Sequence, residues 1–147
     1  MRISVTGASG FVGRVVCEYL TQKDHDIVAI SRNPNVIPQA DNITMDLVEN
    51  ENLKEISMAL AGCDAVIHTI GLAHMTETDE ELLSSAFSRV NVDCAERIAK
   101  ACLFADIRTL IYLSSVKAVG ERSPNDTSGN PIPFNQHTDP MPEDAYG

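Results

Sequence analysis

Three glycines, Gly7, Gly10 and Gly13, recur at three-residue intervals in Val5-Thr6-Gly7-Ala8-Ser9-Gly10-Phe11-Val12-Gly13. An apolar run precedes them and a helical period follows, which is the setting in which such glycines hold a diphosphate. In that role Gly7 permits the tight turn, Gly10 lets the backbone come close to a pyrophosphate, and Gly13 lets the helix pack against the strand. Amides of the Ser9, Gly10, Phe11, Val12 and Gly13 stretch, together with the helix dipole, would then hold phosphate without any lysine. The plainer alternative is a glycine-rich turn that only joins two elements. A second signal lies in Ser31-Arg32, where an acidic residue would take the adenosine ribose hydroxyls of NAD. A serine does not repel a 2′-phosphate and the adjacent guanidinium can pair with one, so the cofactor reading is NADP or NAD with the lean to NADP. Arg32 could equally stack on adenine with either cofactor.

Those residues need elements to hold them. Arg2 to Thr6 reads as a short strand that stops at Gly7. Phe11, Val12, Val15, Val16, Tyr19 and Leu20 then fall on one face of a helix ending near Lys23-Asp24. Ile27-Val28-Ala29-Ile30 is a continuous apolar run, as a parallel strand covered on both faces requires. Ile43-Thr44-Met45 reads as a third strand, Leu53 to Leu60 as a short helix, and Ala65-Val66-Ile67-His68 as a fourth strand. A long helix over about 79–104 carries Val90, Cys94, Ile98 and Ala101 or Cys102 on one stripe, and Leu110 to Leu113 reads as a fifth strand. Strands alternating with helices predict an α/β doubly wound parallel sheet. Residues 121–144, with prolines at 124, 131, 133, 140 and 142, read as one long loop.

Composition narrows the partners. The 147 residues suffice for one domain, and 44% hydrophobic content supplies a core. Twenty-one acidic against eleven basic residues give a net charge of −10, the wrong sign for nucleic acid or an anionic membrane surface. An anion must therefore be held locally. No apolar run approaches the ~18 residues of a membrane span, and the first residues do not resemble a signal peptide, so a cytoplasmic location is expected. Cys17, Cys63, Cys94 and Cys102 lack C-x-x-C spacing and histidine partners, which points to buried thiols and to no metal site.

Thr6-Gly7-Ala8-Ser9-Gly10-Phe11-Val12-Gly13 resembles the T-G-x-x-G-x-x-G signature of extended short-chain dehydrogenases/reductases, the NAD-dependent epimerase/dehydratase group that includes nucleotide-sugar epimerases. Further landmarks follow in order. Asp46-Leu47 is similar to the Asp-Leu pair that meets the adenine amino group, and His68-Thr69-Ile70-Gly71-Leu72 to the H-x-A-x-L segment along the cofactor ribose, with Ile70 in place of alanine. Asn91-Val92 resembles the Asn-Val of the long helix, although Cys94-Ala95 stands where Gly-Thr is common. Ser114-Ser115-Val116-Lys117-Ala118-Val119-Gly120-Glu121 resembles the S-S-x-x-V-Y-G element, and Pro142 to Gly147 the P-x-x-x-Y-G that opens the Y-x-x-x-K helix. Each has a bland alternative: Asp46 as a helix cap, His68 as a satisfied strand-end histidine, Asn91 as a surface residue, Ser114-Ser115 as a strand terminus.

The resemblance implies a Rossmann fold cut after about five strands, with residues 1–147 an incomplete NAD(P)-binding domain and the substrate domain absent. It assigns Tyr146 as the base that takes a proton from a sugar hydroxyl, while the carbon beneath gives hydride to nicotinamide, and Ser115 as a hydrogen-bond partner of the same oxygen. A phenol titrates near 10, so basic action near neutrality needs about 4 kcal/mol of electrostatic help. The family draws this from a lysine four residues after the tyrosine, and the sequence ends at Gly147 before that position, so the 147 residues alone are expected to be inactive. The implied partner is a nucleotide sugar, with a homodimer through the long helix allowed. Two other readings stay open: an NADP-dependent reductase of a small carbonyl compound, favoured by Arg32, and a non-catalytic nucleotide-binding module.

Overall fold

In the computed structural model, residues 1–73, 79–144 and 146 are described. They separate into two units, Met1–Gly71 with Arg89–Leu113, and Leu72–Ser88 with Ser114–Gly147.

The first unit holds β1 (Arg2–Thr6), α1 (Phe11–Thr21), β2 (Asp26–Ser31), β3 (Asp41–Thr44), α2 (Leu53–Leu60) and β4 (Ala65–His68). After the chain returns from the second unit it adds α4 (Cys94–Phe104) and β5 (Leu110–Tyr112). The five strands lie in the order β3-β2-β1-β4-β5 and every pair is parallel. The chain runs from β1 out to β2 and β3, then returns past β1 to β4. That reversal marks a topological switch point at the carboxyl ends of β1 and β4, the position at which doubly wound sheets take their ligands. The glycine loop begins there.

Alternation along β2 shows why its run is unbroken. Ile27 and Ala29 join a core with Ile3, Val5, Ala8 and Cys17 on one face, while Val28 and Ile30 join Leu47, Ile56, Leu60, Val66, Cys94 and Ile98 on the other. Both faces are covered, and each fully buried Ile or Leu contributes roughly 1.5–3 kcal/mol relative to exposure. All four cysteines are buried and unbridged, and burial pushes the Cys17 and Cys94 thiols up to about 11.

The apolar face expected for α1 is corrected. Gly13 and Cys17 are the buried residues, with Val16 and Leu20 packed beside them, whereas Phe11, Val12, Val15 and Tyr19 are exposed. Gly13 causes this rotation. A Cβ there would overlap the Gly7 carbonyl oxygen, so the helix seats with Gly13 against the loop, and the positions sharing its face at helical spacing are 16, 17 and 20.

The second unit contains α3 (Glu80–Phe87), started by Asp79, whose carboxylate accepts from the Glu81 and Leu82 amides. The helix expected over 79–104 is thus not uniform: a π-helical turn over Ser88–Asp93 separates α3 from α4. A 3₁₀ turn, Val116–Ala118, follows β5. Residues 121–144 carry no helix or strand, as expected, but hold a bridge between Asn125 and Pro131 around Asp126, whose Oδ1 accepts from the Ser128 and Asn130 amides at 2.8 Å.

Candidate functional site

The glycine loop is fixed from both sides. Gly7 has φ +77°, a left-handed conformation, and the Gly7 and Ala8 amides donate to the Ile30 carbonyl at 2.9 and 3.2 Å. Thr69 Oγ1 donates to the Thr6 carbonyl at 2.7 Å, and a Cβ on Gly7 would stand 2.9 Å from that hydroxyl oxygen. Thr69 is a residue that sequence reasoning passed over as part of a segment; its clamp spans 63 positions and leaves no local pattern. Gly10 differs from its two neighbours in the motif. It is exposed, and the nearest atom to a Cβ there is the Gly7 oxygen at 3.2 Å, so the protein interior demands glycine less at 10 than at 7 or 13.

Gly10 caps α1 with extended backbone and no side-chain hydrogen bond. Its carbonyl accepts from Arg14, and among the described residues the amides of Ser9, Phe11, Val12 and Gly13 have no protein acceptor. Several unpaired N–H groups at the positive end of a helix dipole, beside a glycine with no side chain to block approach, are the groups with which a helix start can bind an anion.

Around this loop stand the other expected residues of the first unit. Ser31 is buried and its hydroxyl donates to the Asn33 carbonyl at 2.7 Å, so it braces the turn after β2. Arg32 is exposed and has no ion-pair or hydrogen-bond partner among the described residues. Asp46 Oδ1 accepts from the Val48 and Glu49 amides at 3.0 and 3.3 Å, the cap-like role held open above. Its other oxygen has no protein partner among the described residues. Leu47 is buried; Cys94 Sγ donates to its carbonyl and Arg97 to the Val48 carbonyl, so α4 fixes the turn that carries Asp46.

His68 lies inside the sheet. In register with Thr6 on one side and Tyr112 on the other, it pairs through Nδ1 with Thr6 Oγ1 at 2.7 Å and stacks on the Tyr112 ring at 5.8 Å. It is 1% exposed, Nε2 has no partner among the described residues, and burial lowers its pKa to about 4, which keeps the imidazole neutral. The residues of this segment that reach the surface come after it, with Gly71 exposed. Asn91 sits in the π-helical turn, its side-chain oxygen 3.9 Å from where a Cβ on Gly71 would be, and its carbonyl accepts from Tyr112 Oη at 3.4 Å. The first unit therefore gathers Gly7 to Gly13, Asp46, Gly71 and Asn91 around its sheet, each set by a contact distant in sequence.

Ser115 and Tyr146 belong to the second unit. Ser115 caps the 3₁₀ turn, with Oγ accepting from the Lys117 amide at 3.2 Å. The Tyr146 ring lies 5.7 Å from that of Phe87 and 5.7 Å from Lys117 Nζ, and its amide donates to Asp144 Oδ1 at 3.0 Å.

Comparison with known proteins bears on the family and the fold. The profile of the NAD dependent epimerase/dehydratase family matches residues 3–146. A 3 beta-hydroxysteroid dehydrogenase/Delta 5-->4-isomerase of Monkeypox virus is 31% identical over 92% of this chain and 38% of its own length. A UDP-glucose 4-epimerase of Vibrio cholerae is 25% identical over 99% of this chain and 42% of its own. The chain thus spans about two fifths of the length of these curated relatives. Among solved structures, UDP-glucose 4-epimerase from Brucella ovis in complex with NAD shares the fold, with a TM-score of 0.81 at 19% identity, covering 99% of this chain and 43% of that one. Among the described residues no helix is long and apolar enough to cross a membrane. With five parallel strands, the glycine loop at their switch point and a profile match across nearly every residue, the chain belongs to the NAD dependent epimerase/dehydratase family.

Proposed function

We propose that the chain is the cofactor-binding part of an NAD(P)-dependent enzyme acting on a nucleotide sugar. The carrying observation is the set of unpaired amides at Ser9, Phe11, Val12 and Gly13 beside an unobstructed Gly10, which fits a pyrophosphate. The unpartnered oxygen of Asp46 takes the adenine amino group, and the backbone around Gly71, rather than the buried His68 ring, borders the ribose. When bound, the nicotinamide supplies a hydride acceptor for a sugar carbon. Tyr146 Oη takes the proton from the hydroxyl on that carbon, and Ser115 Oγ hydrogen-bonds the same oxygen. Support for a nucleotide-sugar substrate comes from the Vibrio cholerae relative and the Brucella ovis structure, both UDP-glucose 4-epimerases.

Arg32 favours a second reading, a reductase using NADP, because it is an exposed guanidinium without a protein partner among the described residues. The bound NAD of the Brucella ovis structure supports the other cofactor. Titration calorimetry of the protein with NAD and with NADP, repeated on Arg32→Gln, separates the two. Pairing with a 2′-phosphate predicts that Arg32→Gln weakens NADP by about tenfold or more and leaves NAD unchanged. Equal weakening of both would assign Arg32 to adenine stacking, and no binding of either dinucleotide by the folded protein would remove the reading altogether.

A further inference from the structure

Lys117 has no part in the roles assigned so far, yet it touches both residues to which they assign the chemistry of the sugar oxygen. Its backbone amide donates to Ser115 Oγ at 3.2 Å, and its ammonium donates to Asp144 Oδ2 at 2.8 Å and lies 2.6 Å from Glu121 Oε1. Asp144 in turn accepts the Tyr146 amide through its other oxygen at 3.0 Å, while Lys117 Nζ stands 5.7 Å from the centre of the Tyr146 ring. Hydrogen bonds at the two ends of the Lys117 residue, one at its backbone amide and one at its ammonium, thus link Ser115 to Asp144 and so to the Tyr146 amide, crossing 27 sequence positions in the step from Lys117 to Asp144. Residues 121–144 between its ends form no helix or strand; the Met141 amide donates to the Val119 carbonyl at 3.2 Å, and the Lys117–Asp144 contact is the side-chain tie nearer the tyrosine.

We propose that Lys117 is a positioning residue, whose ammonium ties the segment bearing Tyr146 to the turn bearing Ser115 so that both oxygens are presented to one substrate hydroxyl. This rests on the catalytic reading of Ser115 and Tyr146 given above. Two carboxylates on one ammonium suit a clamp: Asp144 sets the tyrosine, and Glu121, four residues further along, keeps the lysine side chain from swinging out. The cation persists at physiological pH, since hydrogen bonds to Asp144 and then Glu121 raise the ammonium above its ordinary value. Among the described residues the titratable groups that face it are Asp144, Glu121 and Tyr146. The ions are partly exposed, so the clamp acts on position more than on overall stability.

The test is amide hydrogen exchange and ring NMR of Tyr146 in the whole protein, in Lys117→Met, and in Lys117→Arg, which keeps the charge and can still span two carboxylates. Lys117→Met should speed Tyr146 amide exchange by about tenfold or more, as expected when about 1.4 kcal/mol of local ordering is lost. It should also move the Tyr146 ring resonances, leave those of Thr6 to Gly13 in place, and be rescued by Lys117→Arg. Tyr146 equally protected in Lys117→Met, or protection lost without rescue by arginine, overturns the proposal. The catalytic reading is judged separately, by adding UDP-glucose to the NAD-saturated protein, which should shift the Ser115 and Tyr146 ring resonances. If neither moves while Lys117→Met frees Tyr146, the tie stands and the catalytic reading falls.

Discussion

At Gly13 the protein itself forbids a side chain, because a Cβ would overlap the Gly7 carbonyl; at Gly10 it nearly tolerates one. That contrast separates the glycine needed for folding from the glycine suited to a ligand. His68 makes a second residue-scale point, since its ring is committed to the interior and not to the surface. A histidine in an unfolded chain titrates near 6.5, whereas burial lowers His68 to about 4, so the unfolded state takes up a proton that the folded state refuses. Its contribution to stability is full above about pH 6.5 and is lost as the pH falls towards 4, amounting to about 2 kcal/mol between pH 7 and pH 5. Urea unfolding at those two pH values should show that loss in the unmutated protein and a smaller one in His68→Asn. Equal losses would mean that other groups carry the acid sensitivity.

Among the elements, the strands were legible because their signal is short and uniform: Ile27 to Ile30 is apolar throughout, and the sheet buries both of its faces. The face of α1 was not legible. Its six apolar residues straddle two sides of the helix, and only the contact of Gly13 with Gly7, a fact of tertiary packing, decides which side is inner. The same holds for the π-helical turn at Asn91, where one added residue per turn leaves the apolar stripe from Cys94 to Cys102 unaltered in sequence. Order and identity of the glycine, Asp46 and Asn91 landmarks could be read along the chain, while the Thr69 clamp, the Arg97 contact and the Lys117 tie could not, because each joins positions far apart. For α1 the structure predicts that Val15→Lys and Tyr19→Lys change unfolding free energy by no more than about 0.5 kcal/mol, whereas Cys17→Ser, which buries a hydroxyl, costs about 1–3 kcal/mol. Chemical denaturation measures both, and the reverse order would restore the face expected from periodicity.

Over the whole molecule, a net charge of −10 and the proposed anion site are compatible because the attraction is local and comes from oriented backbone. The sheet order explains where that site must be: reversal of direction after β1 leaves the loop from Gly7 to Gly13 open at the strand ends instead of under a helix. The edge strand β5 keeps Ile111 and Tyr112 close to half exposed, in a chain that spans 38% and 42% of the two curated relatives above. Backbone recognition of the diphosphate is the central claim, and titrating NAD into isotopically labelled protein while following individual amide resonances tests it most directly. Saturation should shift Ser9, Phe11, Val12 and Gly13 more than any other amides and slow their hydrogen exchange, with the His68 and Tyr112 resonances showing that the sheet is intact. Saturation that leaves those four amides unmoved in an intact sheet would contradict it.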